Sequence, residues 1–427
     1  MSALPMTEAP VEAPDLDLPD DWLVLSDPDL TEVELALVQA AMGQPMLSAG
    51  PMVEHFEKSF ATWVGRKHAV AVASGTIGTW LALRAMGIGP GDEVIASPYG
   101  WYQVAHAVSL TGARVVFADI NYWSGCLDPV RASAQITDKT KAILAGNVNG
   151  HPAAWAEFRE LATTHNLKLI EDSTEAIGSR YRGPQEPPLR GASSPEGSAA
   201  SRERPVDAAK GKLVGSFGDA AVFDFSQPSA LCCGEGGMIV TDDDELVMEL
   251  RYLRARSLKD RRSVSVGSRV PLQASMSEVT AAIGAGQLSR IDAMLAKRKQ
   301  VEAYYLDQMQ SFEGIKPPYV APDVDSVHWM LYTVHLGKRF TVSACEQIIE
   351  DMAGQYIEVV LYCQPLHQQF HYIQQGWKRG QFPLVERIAD RCVALPFHTH
   401  LEPDHVKFIV QMMMDSSVNV GAGAAIY

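Results

Sequence analysis

The sequence has few of the features that mark several large classes of protein. Its 427 residues include only six cysteines: Cys126, Cys232, Cys233, Cys345, Cys363 and Cys392. No two of them form a Cys-x-x-Cys pair, so neither a disulfide framework nor a zinc ribbon is expected, and a reducing cytoplasm fits best. Nowhere do 18 apolar residues follow one another, and the first 25 residues have neither a basic start nor an apolar run. We therefore expect no membrane-spanning helix and no signal peptide.

Positive charge is also scarce. Lysine and arginine number 36 against 51 aspartate and glutamate residues, which gives a net charge of −15. Such a surface repels phosphate backbones and anionic lipid, so neither nucleic acid nor a membrane is expected as a partner. The apolar fraction of 47% is that of an ordinary globular protein, and the length allows two or three folding units.

Two short motifs lack the context that would give them a function. Gly87-x-Gly89-x-Gly91 follows a predicted helix and precedes a predicted strand, the reverse of a dinucleotide-binding fingerprint, so it indicates a turn. The histidine pairs His367-x-x-x-His371 and His398-x-His400 have no Cys, Asp or Glu at the spacing of a metal site. No metal is expected.

Short apolar strands alternate with helices along the first 240 residues, which predicts an α/β fold with a mostly parallel sheet covered on both faces. The acidic, proline-rich residues 1–25 predict a disordered tail. Residues 26–295 predict a large domain and residues 296–427 a smaller α+β domain. Within the large domain, residues 183–212 are rich in Pro, Ser and Gly and predict a mobile surface insertion.

Three places carry side chains suited to chemistry. Ser74-Gly75-Thr76 lies between a strand and a helix, where backbone N–H groups can hold an anion; a plain tight turn explains it equally well. The acidic run around Glu171-Asp172 and Glu175 follows a buried strand, where open α/β sheets bind ligands. The third place is the turn over residues 223–229, which precedes the glycine cluster 234–237.

In this order, these segments resemble the DegT–DnrJ–StrS sugar aminotransferases over residues 28 to 412. The motifs that carry the resemblance are specific: Ala73-Ser74-Gly75-Thr76, Gly89-Pro90-Gly91-Asp92-Glu93-Val94, Glu171-Asp172, Gly215-Ser216-Phe217-Gly218-Asp219, Gly234-Glu235-Gly236-Gly237, Ala281-Ala282-Ile283-Gly284, Pro365-Leu366-His367 and Leu395-Pro396. The resemblance implies the three-layer fold type I aminotransferase architecture and a homodimer with its active sites at the subunit interface.

Members of this family use pyridoxal phosphate (PLP), and the resemblance implies which residues here match its binding positions. Asp172 matches the partner of the pyridine nitrogen and Trp101 the aromatic residue that stacks on the ring, while Ser74, Gly75 and Thr76 match the phosphate cradle. Ser229, however, stands where the family has the lysine that forms the Schiff base. A hydroxyl cannot form an imine, so covalent PLP is not expected.

Other family positions have changed as well. Asp224 replaces a serine that contacts the phosphate, and Glu175 replaces a glutamine beside the ring hydroxyl of the cofactor. Further departures are spread over the site: Asn147 and Met330 for histidines, and Gln273 and Ser275 for an asparagine and an arginine near the subunit interface. The nearest upstream lysines are Lys210 and Lys212, at the end of the insertion.

Because several changes oppose a bound dianion, we expect a repurposed enzyme of sugar or secondary metabolism, including antibiotic biosynthesis. It would act without covalent PLP on a small polar intermediate. The candidate catalytic residues are Glu175, Asp224, Ser229 and His367, with Asp172 beside them as part of an acidic cluster for acid–base work or for binding a substrate amine. Two alternatives remain open: a dehydratase-like enzyme that binds the aminated cofactor (PMP) without a covalent link, and a catalytically silent partner subunit of a true aminotransferase.

Overall fold

The computed structural model describes residues 22–101, 103–183, 211–255, 270–310, 315–338 and 340–420. The helices in these ranges are α1 (Glu32–Met42), α2 (Pro51–Val64), α3 (Gly75–Ala85), α4 (Gln103–Leu110), α5 (Pro129–Ser133), α6 (Trp155–Thr164), α7 (Asp244–Arg254), α8 (Glu278–Ser289), α9 (Ile291–Met309), α10 (Val342–Ala353), α11 (Phe370–Ile373), α12 (Pro383–Ala389) and α13 (Pro403–Asn419). Thr31 and Glu34 form the capping box that the sequence predicts at the start of α1.

The strands are β1 (His68–Val72), β2 (Glu93–Ala96), β3 (Arg114–Phe117), β4 (Thr140–Gly146), β5 (Lys168–Asp172), β6 (Arg180–Tyr181), β7 (Lys212–Leu213), β8 (Ala220–Asp224), β9 (Gly237–Thr241), β10 (Ile315–Lys316), β11 (Val324–Ser326), β12 (Tyr332–Leu336), β13 (Val360–Leu361) and β14 (Cys392–Leu395). Seven of them form the main sheet in the order β1-β9-β8-β5-β4-β2-β3. Only β9 runs against its neighbours in this sheet, so the predicted, mostly parallel sheet is confirmed.

Both faces of this sheet are buried, as the continuous apolar strands predict. Along β1, Ala69 and Ala71 pack into a cluster with Phe56 and Phe60 of α2, on one face of the sheet. Val70 and Val72 alternate with them and pack on the other face, into a cluster that includes side chains of α3 and α7. The fold therefore has three layers, helices covering the sheet on each side.

The parallel arrangement brings the functional segments to one edge. Strands β1, β2, β4, β5 and β8 all run in one direction, so their carboxyl ends lie along the same edge of the sheet. The loops that follow these strands carry Ser74, Trp101, Asn147, Glu175 and Ser226. Segments far apart in the sequence are therefore neighbours in space.

A second, four-stranded sheet in the order β10-β12-β14-β13 forms the smaller C-terminal part. The expected boundary at residues 295 and 296 lies inside α9, which runs without a break from Ile291 to Met309. Apolar side chains of both parts belong to one core cluster, among them Leu144 of β4 and Tyr332 of β12. The ring of Tyr332 also lies parallel to that of Tyr305 on α9, with centroids 4.1 Å apart. The helix α9 thus joins the two parts rather than ending the first.

The predicted disordered tail, residues 1–25, extends too far into the chain. Residues 22–25 lie against the small domain, where Leu23 N–H donates to Tyr356 O at 2.9 Å and Leu25 N–H to a Glu358 carboxylate oxygen at 2.7 Å. Residues 1–21, and residues 184–210 of the predicted insertion, lie outside the described residues. Within the described ranges, no helix is both long and apolar enough to cross a membrane.

Candidate active site

The first element of the site is the amino terminus of α3. Ser74 caps this helix, and its Oγ accepts from Ile77 N–H at 3.3 Å. The next donor, Gly75 N–H, points to Asp224 Oδ2 at 2.6 Å. The other Asp224 oxygen accepts from the N–H of Ser226 at 2.8 Å and from its hydroxyl. A buried carboxylate of the protein itself therefore lies where a helix terminus would attract an anion.

Two glycines make this close approach feasible. Gly237 pairs with Val72 on one side and with Asp224 on the other, so β9 separates the two segments that meet above it. A Cβ at Gly237 would lie 2.7 Å from Gly75 N, and a Cβ at Gly75 would lie 2.7 Å from Asp224 Oδ2. Larger residues at these two positions would push the helix terminus and the carboxylate apart.

Glu171 is a fully buried carboxylate that organises the neighbouring loops. One oxygen accepts from Asn147 Nδ2, Ser173 Oγ and Gly215 N–H, and the other accepts from the N–H groups of residues 217 and 218. Asn147 in turn accepts from Trp155 Nε1 at 2.9 Å. These five donors leave Glu171 no free acceptor site to offer a ligand.

Glu175 is held in a similar way. Its Oε1 accepts from Trp101 N–H at 2.8 Å, and its Oε2 accepts from Asn149 N–H at 2.5 Å and from the Tyr362 hydroxyl. Burial raises the pKa of Glu175 to about 7, although these hydrogen bonds oppose the shift. Glu175 thereby joins three separate segments: the loop after β2, the loop after β4 and the small domain.

Asp172 contrasts with these carboxylates. It is 7% exposed, and it accepts from Thr174, whose N–H donates to Asp172 Oδ1 at 3.0 Å. Burial raises its pKa to about 6, and the charges of Asp224 and Glu171 add to the shift. Asp172 lines a small cavity together with Trp101 and Glu175. Asp172 thus shares this cavity with Trp101, the residue that the resemblance matches to the aromatic that stacks on the cofactor ring.

Ser229 lies in the turn after β8 and is half-buried. Its Oγ accepts from Leu231 N–H at 3.3 Å. Within the described residues, no histidine or carboxylate pairs with this hydroxyl, so the structure does not supply the base that a serine nucleophile needs. Ser229 and Asp224 come from one turn, but Ser229 is not among the residues that line the cavity of Asp172.

His367 lies apart from the acidic residues. Its side chain is fully buried, with Nε2 3.0 Å from a Glu386 carboxylate oxygen and its ring against Phe382. Burial lowers the pKa of His367, although Glu386 opposes the shift. The backbone beside it does approach the site, since Leu366 N–H donates to Pro98 O at 2.9 Å. The His367 side chain therefore contacts Glu386 and Phe382 and does not line the cavity of Asp172, whereas the neighbouring Leu366 contacts the loop that precedes Trp101.

The other residues that the resemblance matches to altered family positions, and the two lysines nearest Ser229 upstream, have varied surroundings. Met330 is buried and Gln273 is exposed, while the Ser275 hydroxyl is buried without a hydrogen-bond partner among the described residues. Lys212 is exposed at the start of β7, and Lys210 lies outside the described residues. In the part of the chain that the structure describes, no three His, Cys, Asp or Glu side chains are grouped to hold a metal ion.

Sequence reasoning missed two residues that shape the site. Tyr362 contributes the hydroxyl that Glu175 accepts, from a position 187 residues away. Asn149 has a left-handed backbone with φ of 48°, and its side chain bonds Thr333 Oγ1 and Leu331 N–H of the small domain. An asparagine after a predicted strand was an available signal, because asparagine tolerates this backbone region. Nothing in the sequence marked Tyr362.

Comparison with known proteins agrees with this architecture. The chain is 31% identical over 405 residues to the spore coat polysaccharide biosynthesis protein SpsC of Bacillus subtilis, covering 92% of this chain and 97% of that protein. It is 35% identical over 321 residues to the GDP-perosamine synthase of Caulobacter vibrioides, covering 75% and 78% of the two chains. The crystal structure of S. venezuelae DesV in complex with a ketimine intermediate matches with a TM-score of 0.76 and 29% identity, covering 90% of this chain and 93% of that one.

These matches confirm the fold type I aminotransferase architecture expected from the sequence. Residues 28–414, nearly the whole chain, match the sequence model of one family, described as the DegT/DnrJ/EryC1/StrS aminotransferase family. The chain is a member of the DegT/DnrJ/EryC1/StrS aminotransferase family.

Proposed function

We propose that this chain is an enzyme of sugar biosynthesis whose site works without covalently bound PLP and uses Asp172 as its reactive carboxylate. One observation carries the proposal: the Asp224 carboxylate accepts the Gly75 N–H at the amino terminus of α3. The relatives support the substrate class, because they include a polysaccharide biosynthesis protein and a GDP-perosamine synthase. The substrate we infer is a polar sugar intermediate of secondary metabolism.

The residues at α3 do not fit the phosphate of PLP. Asp224 is 2% exposed and holds the donor that a phosphate would need, so a bound dianion would lie beside a buried like charge. Two unit charges about 4 Å apart repel by roughly 4 kcal/mol at the effective dielectric constant of a protein surface, and a dianion doubles this. Ser229, at the position of the Schiff-base lysine, removes the covalent attachment as well.

Asp172 has the properties of an acid–base group. With a pKa of about 6 it can exchange a proton near neutral pH, and its free acceptor sites can also bind a substrate amine. Glu175 and Asp224 each accept three hydrogen bonds from the protein. In this proposal they position Trp101 and the amino terminus of α3 around Asp172 rather than react themselves.

A homodimer suits the exposed apolar surface near the site. Met46, Leu47 and Leu272 are 47%, 61% and 39% exposed, and residue 48 pairs with residue 277. The nearby Gln273 stands where the family places a residue that reaches the neighbouring subunit. We propose that a second copy of this chain covers this surface. Leu47→Glu should convert a dimer into a monomer in analytical ultracentrifugation, whereas a wild-type monomer would refute this step.

Cofactor retention tests the proposed function. Wild-type protein incubated with PLP or PMP should lose the absorbance of the cofactor on gel filtration. Combining Asp224→Ser with Ser229→Lys should restore a retained absorbance band of lysine-bound PLP, because the anion site and the amine return together. Ser229→Lys alone is the matched control, and it should bind PLP much more weakly because Asp224 still holds Gly75 N–H.

Two other functions predict different results. An enzyme that uses PMP would retain it in the wild-type protein, a reading favoured by Trp101 and Asp172 lying in one cavity. A catalytically silent partner subunit would show no turnover of its own, and the activity of its partner aminotransferase would survive Asp172→Asn. In the function proposed here, Asp172→Asn abolishes turnover while the fold and the dimer persist.

A further inference from the structure

A groove, here called the β1 groove, lies at the amino end of strand β1. This strand is at the edge of the seven-stranded sheet, with α2 packed on one face and α7 on the other. Residues of both helices line the groove together with Ala69, and its volume is about 650 Å³, within the range of small-molecule sites. Ala69 precedes Ser74 by five residues, about 17 Å along an extended chain. The β1 groove is therefore separate from the candidate active site.

The lining of the β1 groove is positively charged, in contrast to the protein as a whole. Five basic side chains contribute to the described lining: Lys58, Arg66, Lys67, Arg251 and Arg254. The acidic side chains in it are Glu54 and Glu57, so five positive charges against two give the lining a formal charge of +3, whereas the whole chain has −15. A concave surface of one sign raises the local concentration of ions of the other sign. The groove therefore attracts anions although most of the surface repels them.

A neighbouring groove shows that this excess of positive charge is local. Arg66 also lines the second groove, which has a volume of about 740 Å³. Its other charged residues are Arg159, Lys168, Asp219, Asp242 and Asp243. Three basic and three acidic side chains cancel there, so two adjoining grooves of similar size differ in charge. The β1 groove is the one suited to an anion.

Several donors of the β1 groove have no acceptor within the described residues. Arg254 is held at its Nη1, which donates to a Glu57 carboxylate oxygen and, at 3.0 Å, to Ala71 O. Its Nε is buried without an acceptor in the same part of the chain. Lys58 on α2 and Arg251 on α7 are exposed, and neither forms an ion pair with a described residue. An anion between the helices would give these cations charge-assisted hydrogen bonds.

The edge of β1 adds a backbone donor to the groove. Ala71 N–H points away from β9 and donates to Glu57 Oε1 at 2.9 Å. In an antiparallel ladder every second residue turns its N–H to the same side, so Ala69 N–H also points outward. Ala69 lines the groove, and its N–H can therefore donate to an oxyanion that the cations attract.

The ion pairs at the rim of the groove are weak competitors. Arg66 Nε lies 3.3 Å from Asp242 Oδ2, and the Asp242 side chain is 62% exposed. Lys67 pairs with Asp244, whose side chain is 63% exposed. Exposed ion pairs contribute little to stability, because water already solvates both charges. A ligand with two or more negative charges can displace such carboxylates from their partners.

We propose that the β1 groove binds a small oxyanion with two or more negative charges, either a phosphate ester or a polycarboxylate. The planar guanidinium groups suit both, because they can donate two parallel hydrogen bonds to phosphate or carboxylate oxygens. A long polyanion such as nucleic acid does not fit, since it would extend more than a screening length of about 8 Å beyond the groove, over the acidic surface. The inference does not rest on the proposed function, because none of the candidate catalytic residues lines this groove.

Isothermal titration calorimetry of the full chain tests the site, with inorganic pyrophosphate and citrate as probes. In about 50 mM salt we expect saturable binding of at least one probe, with a Kd of about 1 mM or tighter. Lys58→Ala combined with Arg251→Ala should weaken this binding at least about tenfold, because both charges face the groove. Lys141→Ala combined with Lys168→Ala is the matched control. It removes two exposed positive charges outside the groove and should change the Kd less than about twofold.

The imidazole of His68, which lines the groove, reports where the anion binds. Its C–H proton signals, assigned with His68→Gln, should shift with the same saturation as the heat of binding. Tighter binding of pyrophosphate would identify a phosphate ester as the ligand, and tighter binding of citrate a polycarboxylate; either supports the inference.

Three outcomes would overturn the inference. One is no saturable binding of either probe up to about 10 mM. Another is binding that is unchanged in the variant lacking Lys58 and Arg251, or that leaves the His68 signals in place. The third is tighter binding of a hexaglutamate peptide than of either small anion, which would assign the groove to a protein partner.

Discussion

Glu171 and Asp172 are neighbours at the carboxyl end of β5, yet their surroundings differ sharply. Both are buried, but Glu171 accepts five hydrogen bonds from three loops, whereas the hydrogen bonds to Asp172 come from Thr174. A carboxylate whose acceptor sites are all occupied stabilises the fold, and one with free sites can meet a ligand. In the function proposed above, the number of donors, rather than burial, separates the structural carboxylate Glu171 from the reactive carboxylate Asp172.

The largest expected effect is that of Glu171→Ala. The substitution leaves five donors without their acceptor, four of them from buried segments, and should lower the free energy of unfolding by at least about 3 kcal/mol. Urea denaturation measures the change. Asp172→Asn is the matched control, and near pH 4 its free energy of unfolding should lie within about 1 kcal/mol of the wild-type value. Equal losses in the two variants would contradict the distinction between the two carboxylates.

Asp172→Asn should change how stability depends on pH. In the fold the pKa of Asp172 is about 6, above its ordinary value of 3.8, so protonation of this carboxyl stabilises the folded state. This stabilisation is fully present below pH 3.8 and is lost as the pH rises through 6. The asparagine variant should therefore gain stability relative to wild type between about pH 4 and pH 7, by at most about 3 kcal/mol. Parallel stability curves over this range would show that Asp172 is not destabilised by burial.

Glu175 is intermediate between Glu171 and Asp172 in the number of hydrogen bonds that it accepts, and Glu175→Gln tests its role. Both oxygens of Glu175 accept from donors, so an amide group must face an N–H or hydroxyl that loses its acceptor. Near pH 4, where Glu175 is protonated, we expect a loss of about 1–3 kcal/mol in thermal or urea unfolding. The loss should shrink as the pH rises toward 7, because burial raises the pKa of Glu175 to about 7 and its charged form is costly in the fold. The exposed Glu235→Gln controls for the change of charge and should have little effect. A neutral result at position 175 would indicate that the three segments hold together without this carboxylate.

Ser229→Ala should have the smallest effect. The hydroxyl accepts one long hydrogen bond, 3.3 Å from Leu231 N, and is half-buried. The expected change in the free energy of unfolding is within about 0.5 kcal/mol. A substantially larger loss would mean that the turn after β8 depends on the Ser229 side chain as well as on Asp224, which accepts from Ser226 in the same turn.

The order of helices and strands was predictable because it depends on local patterns. The capping box of Thr31 and Glu34 and the buried strand over residues 93–96 are cases in which neighbouring residues carry the signal. Position 175 shows where prediction stops: its acidic residue was recognised, but its hydroxyl donor, Tyr362, lies 187 residues away. The contact of Gly75 with Asp224 likewise spans 149 residues. Such pairs depend on sheet order and register, which local patterns do not encode.

Diffraction from crystals soaked in millimolar PMP tests the central claim most directly. We predict that the electron density will show Asp224 still within hydrogen-bond distance of Gly75 N, with no phosphate at the amino terminus of α3. Density for a phosphate bound by Gly75 and Thr76, with Asp224 turned away, would contradict the account.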